Sequence, residues 1–116
     1  MTSVVFTDFE GGSPAWYHPV WDFAWETHFS AQGPEDLTCE INRGDMRNEL
    51  FILNHFLTAP LASERLAAQV NFNPFLLDRA LECTEKTGQV PSFLTVDFYA
   101  TGDLLEAGRT LNTMAP

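Results

Sequence analysis

The run Leu50-Phe51-Ile52-Leu53, closed by the polar pair Asn54-His55, is apolar without alternation and of strand length. A strand with one wet face alternates apolar and polar residues, so an unbroken run predicts a strand buried on both faces, as in a parallel sheet. A parallel neighbour must be reached by a crossover, usually helical, and the residues that follow supply one. Pro60 opens a helical stretch over Leu61 to Val70, with Leu61, Ala62, Leu66, Ala67 and Val70 on one side. Asn73-Pro74 then reads as an N-cap and first-turn proline. The stripe Leu76, Leu77, Ala80, Leu81 and Thr84 continues that helix to a stop at Gly88, with Lys86 suited to its last turn. Phe93-Leu94-Thr95-Val96 is a second buried strand ending at Asp97. Thr101-Gly102-Asp103 starts a last helix along Leu104, Leu105, Gly108 and Leu111. Strand, helices, strand, helix is the rhythm of a parallel α/β fold.

Upstream the pattern is weaker. Ser3 to Thr7 reads as a short buried strand that gives way at Asp8 to a loop carrying Gly11, Gly12, Ser13 and Pro14. Trp16, Tyr17, Trp21, Phe23, Trp25 and Phe29 fit neither a period of two nor one of 3.6, and are read as an aromatic-rich excursion. Ala31 to Arg47 turns polar and acidic, with Gly33-Pro34 and Asn42-Arg43-Gly44-Asp45 as turn signals, and reads as loop. There is no internal repeat.

With 116 residues and 45% hydrophobic content, the chain has the size and composition of one packed domain. Its 6 Lys plus Arg against 16 Asp plus Glu give a formal charge of -10, which repels nucleic-acid phosphates and anionic membrane surfaces. No nucleic-acid partner is expected, and no run reaches the roughly 18 apolar residues of a membrane span. Met1 to Phe9 carries Asp8 and no leading basic group, so no leader is expected within it. The two cysteines, Cys39 and Cys83, lack zinc-site spacing and permit either one bridge or two free thiols. Glu35, Asp36, Glu40, Asp45 and Glu49 match no calcium loop and read as solvated surface, so neither metal nor cofactor is expected.

In parallel α/β folds the chemistry gathers at the C-terminal ends of the strands. Asn54, His55 and Asp97 end two such strands, and all three face one cleft if the strands are parallel neighbours. An aspartate there suits holding a histidine in one tautomer for general-base work, and equally suits capping the turn that follows. His55 has no acid, base or nucleophile beside it in sequence, and a structural hydrogen-bonding role is the simpler reading. The aromatic excursion is either packing or a glycan- or protein-binding platform.

Several segments, taken in order, resemble the phosphatidylinositol-specific phospholipase C-like phosphodiesterases. They are Trp21-Asp22-Phe23-Ala24-Trp25-Glu26-Thr27, Cys39-Glu40-Ile41-Asn42-Arg43-Gly44, Leu50 to Phe56, Val70-Asn71 with Asn73-Pro74, and Thr95-Val96-Asp97-Phe98-Tyr99 with Gly102-Asp103. The resemblance implies a distorted (β/α)₈ barrel. Since such a barrel takes roughly 250 residues, this chain would be one unit, 1–116, forming its C-terminal portion. It implies cleavage of an inositol phosphodiester in a phospholipid or glycolipid headgroup. One histidine deprotonates a ring hydroxyl for attack on phosphorus, a second protonates the leaving alcohol, and an aspartate on the last strand orients the first. By motif position Asp97 looks like that aspartate and Asn54 like a residue of the inositol-side pocket. The family's catalytic histidines lie on early strands, and His18, His28 and His55 do not occupy their positions. The expected piece is therefore inactive alone and prone to self-association through its open sheet, and the family suggests an extracellular setting. The competing expectation is a non-catalytic glycan- or protein-binding module using Trp16 to Phe29.

Overall fold

The computed structural model describes residues 3–8 and 14–114. The loop expected at Gly11, Gly12 and Ser13 lies outside the described residues. β1 (Val5–Thr7) and β2 (Tyr17–Pro19) form a parallel pair. The main sheet contains β3 (Ala24–Thr27), β4 (Ile41–Gly44), β5 (Leu50–Asn54) and β6 (Phe93–Thr95) in the order β4-β3-β5-β6. β3, β5 and β6 run parallel, while β4 is antiparallel to β3. The helices are α1 (Glu64–Val70), α2 (Phe75–Thr87) and α3 (Leu104–Asn112). The molecule is thus a small α/β unit with a mixed main sheet, and its α1-α2 connection carries β5 to its parallel neighbour β6 as the periodicity predicts. β6 is an edge strand, however, and β1 lies outside the main sheet, so both are largely exposed and not the buried strands expected.

Three strands were hidden in sequence, the short β2 within the aromatic excursion and the two sheet strands β3 and β4, the latter two each for a physical reason. β3 lies inside the aromatic excursion and is buried along its whole length, so its Ala-Trp-Glu-Thr shows no alternation. β4 is Ile-Asn-Arg-Gly, whose polar side chains turn to Glu26 of the neighbouring strand. It ends at Gly44, with φ of 87°, where a Cβ would strike the Ala24 carbonyl of β3, so only glycine lets the strands approach.

The outer face of the sheet packs on α2 and α3. Trp25, Phe51, Leu53, Ala80, Cys83 and Leu111 form the core, with the Trp25 ring stacked on Phe51 at 3.9 Å. The Trp25 indole donates to Gln89 Oε1 at 2.7 Å, which satisfies the ring's single polar atom in the core. A smaller cluster of Ala31, Leu57, Leu66 and Val70 seats α1. That helix starts later than its apolar stripe suggests: the Ser63 hydroxyl accepts the Leu66 amide at 3.2 Å and sets the start at Glu64, leaving Leu61 76% exposed outside it. α2 begins where Asn73 Oδ1 accepts the Leu77 amide and stops at Gly88 in the left-handed region. Cys39 and Cys83 are joined in a disulfide that ties the segment before β4 to α2.

Candidate functional site

β3, β5 and β6 end on one side of the sheet, and a cleft of about 740 Å³ opens there, lined among others by Glu26, Phe29, Arg43, Asn54, Phe56 and Thr95. Strand alternation explains the lining. Trp25, Phe51 and Leu53 point into the helical core, so Glu26, Ile52 and Asn54 fall on the opposite face. Glu26 is 4% exposed, a buried carboxylate in the middle of a strand. Such a group needs donors, and three converge on it. Arg43 Nε donates to Oε1 at 2.6 Å and Asn42 Nδ2 to the same oxygen at 3.1 Å, while Asn54 Nδ2 donates to Oε2 at 2.8 Å. The Asn54 amide also donates to the Thr27 carbonyl at 2.9 Å, and its backbone N–H to the Thr27 hydroxyl at 3.0 Å.

Both hydrogens of the Asn54 amide are therefore held by β3, and its Oδ1 takes no donor among the described residues. Arg43 is fixed differently. Its guanidinium lies over Trp21, 4.4 Å from the ring centroid, and 5.0 Å from that of Phe29. Asp8 approaches Nη1 at 3.9 Å. The cleft thus presents the Asn54 Oδ1 acceptor and the outer guanidinium donors of Arg43, backed by Phe29 and Phe56, with Ser30, Gln32, Thr58 and Thr95 also on its lining. A pair of ring hydroxyls, each donor and acceptor, matches that set.

His55 follows Asn54 but turns the other way. It is completely buried, with Nε2 donating to the Val70 carbonyl at 2.8 Å and Nδ1 accepting from Arg79 Nη1 at 3.1 Å. Burial pushes its pKa down to about 4, aided by the Arg79 charge and opposed by the bond to Val70. The ring is a neutral structural link, and of Asn54, His55 and Asp97, expected to face one cleft, Asn54 lines this one while His55 and Asp97 do not. His18 packs between Phe6 and Phe23, and His28 is exposed.

Asp97 lies beyond the end of β6, partly exposed, with no hydrogen bond to its carboxylate among the described residues. Its backbone is held firmly. Buried Asn71 donates from Nδ2 to the carbonyls of Asp97 at 2.8 Å and Thr101 at 3.0 Å, and Phe98 adopts φ of 51° in the turn between them. The Asn71 carbonyl in turn accepts the Asp103 amide.

Sequence reasoning missed Glu26, Arg43 and Arg79 as site-building residues. Arg79 is 5% exposed and donates to the carbonyls of Leu37, Thr38 and Asn54, with burial pushing its pKa down to about 10. Its signal was positional: it sits three residues after Leu76 and four before Cys83, on the buried stripe of α2. Glu26 had a signal too, as a charge directly after Trp25 in a segment that also carries Trp21, Phe23 and Phe29. Among the described residues no three His, Cys, Asp or Glu side chains stand together in a way that could hold a metal ion, and no helix is long and apolar enough to cross a membrane.

Comparison with curated proteins and with solved structures returns no match. The family model PI-PLC X 1 matches residues 3–112. That span contains every described strand and helix as well as the cleft, and the chain belongs to the PI-PLC X family.

Proposed function

We propose that the chain is the C-terminal part of a phospholipase-C-like phosphodiesterase barrel, and that its cleft holds the ring side of an inositol phosphodiester headgroup. The observation that carries this reading is the convergence of Glu26 and Asn54, on the parallel strands β3 and β5, with Arg43 of antiparallel β4, beside the C-terminal strand ends where an α/β fold places its ligands. Asn54 Oδ1 accepts from one ring hydroxyl and the outer nitrogens of Arg43 donate to a neighbouring one. Asp97, on a turn held by Asn71, orients the histidine that deprotonates the attacking hydroxyl. That histidine and the one protonating the leaving alcohol are supplied from outside this chain, so the chain alone is inactive. The disulfide supports an oxidising compartment, and the substrate class places the protein in lipid or glycolipid metabolism.

The test is complementation. A histidine-bearing N-terminal half of a PI-PLC X barrel, added in trans or fused, should restore cleavage of a phosphatidylinositol headgroup. Asp97→Asn should then lower the rate by roughly a hundredfold or more, the scale of a disabled general base. A folded complex inert on every inositol phosphodiester would defeat the enzymatic reading, and an unchanged rate in Asp97→Asn would remove Asp97 from it.

A second reading, a non-catalytic glycan- or protein-binding module, draws on Trp16, which is 64% exposed beside Tyr17. It predicts a shift of Trp fluorescence with soluble sugars that Trp16→Ala abolishes.

A further inference from the structure

We infer that Glu26 is a specificity-determining residue: by neutralising Arg43 it tunes the cleft to uncharged ring hydroxyls and against phosphate monoester groups on the ring. This rests on reading the cleft as the ring-side headgroup site. The chain has 6 Lys plus Arg, and Arg43 is the cation that lines the cleft. The others are committed or remote. Arg47 pairs with Asp45 and Lys86 with Glu82, Arg79 is buried under carbonyls, and Arg65 and Arg109 are exposed on α1 and α3.

Arg43 does not act as a free charge. Its Nε is spent on Glu26 at 2.6 Å, its plane is fixed against Trp21 and Phe29, and Asp8 stands 3.9 Å from Nη1. A phosphate monoester carries close to two negative charges and binds well where several donors or an unpaired arginine fork meet it. The charged groups it would meet in this cleft are one neutralised guanidinium and the Glu26 carboxylate directly behind it. An uncharged hydroxyl suffers no such repulsion. It gains the donors left on Arg43 and the open Oδ1 of Asn54, an atom that repels phosphate oxygens and accepts from hydroxyls.

The experiment is an NMR titration of the disulfide-bonded chain, following the Arg43 Nε–H and Asn54 side-chain amide resonances. myo-Inositol and inorganic phosphate are the probes, at equal concentrations and ionic strength. In the wild-type chain, myo-inositol should shift both resonances and phosphate neither. In Glu26→Gln, phosphate should shift the Arg43 resonance, with affinity raised roughly tenfold, the size of one charge-assisted hydrogen bond gained. The double variant Glu26→Gln/Arg43→Gln should lose that gain. Phosphate binding to the wild-type cleft as tightly as myo-inositol, no response to myo-inositol, or no phosphate gain in folded Glu26→Gln would each overturn the inference. Should Glu26→Gln fail to fold, Glu26→Ala takes its place and is read by the same phosphate gain, while the wild-type comparison tests the preference for hydroxyls. The titration reads binding only, so failure of the complemented enzyme to cleave would count against the phosphodiesterase reading and leave this result standing.

Discussion

His55 takes the structural hydrogen-bonding role that its sequence setting favours, its ring sealed between Val70 and Arg79. Its folded pKa of about 4 lies below the ordinary 6.5. Between those values the unfolded chain binds the proton more readily, so stability is intact above about pH 6.5 and falls as pH drops toward 4. The full loss amounts to about 3 kcal/mol. Urea midpoints measured across that window should fall with pH in the wild-type chain and stay flatter in His55→Gln; parallel curves would refute the buried neutral imidazole. Asn54, on the cleft lining, was legible because it ends an unmistakable strand; Asp97 was singled out by the same rule and lies off that lining. Glu26 and Arg43 were not, because a residue's partners lie across strands: Glu26 meets Arg43 from a strand that reads as loop and Asn54 from one 28 residues on. No local period records such a meeting.

At the scale of elements, what could be read was what the chain decides locally. β5, α2 and α3 carry long apolar patterns with their own punctuation, Gly88 above all. β3 and β4 exist because they pair with each other and with β5, and the antiparallel placement of β4 left no trace in its composition. The segment leading into β4 is tied to α2 through two contacts one helical turn apart. Arg79 takes the carbonyls of Leu37 and Thr38, and Cys83 is bonded to Cys39. The bridge closes a separation of 44 residues, for which chain-entropy reasoning gives about 4 kcal/mol of stabilisation. Reduction, or Cys39→Ala/Cys83→Ala, should therefore lower the denaturation midpoint by a corresponding amount. It should also speed amide exchange at Asn42 and Arg43 before it does so at Phe51 and Leu53, because the loosened segment leads into β4. Uniform acceleration along all strands would show that the bridge stabilises the whole fold without a special hold on the cleft.

For the whole molecule the decisive asymmetry is between the two faces of the sheet. One is covered by α2 and α3. The other carries Ala24, Leu50, Ile52 and Phe93 around an apolar hollow of about 210 Å³, closed only in part by Phe6 and Val20. Phe93 remains 50% exposed and Phe6 39%. β6 has a strand on one side only among the described residues, so an unpaired parallel edge borders that face. Exposed apolar surface beside a free edge favours association, while the formal charge of -10 opposes it. The balance depends on ionic strength, since salt screens the repulsion and leaves the apolar attraction intact. The isolated chain should therefore bind a hydrophobic dye, and its apparent mass by light scattering should rise with both protein and salt concentration. Phe93→Ser should reduce both effects at little cost to the fold, because that ring is already half in water. An N-terminal barrel half that occupied this face would suppress dye binding as it restored activity. A chain that stayed monomeric and dye-free at high salt would show that Phe6 and Val20 already cover enough of the hollow, and would remove the main physical argument for a missing half.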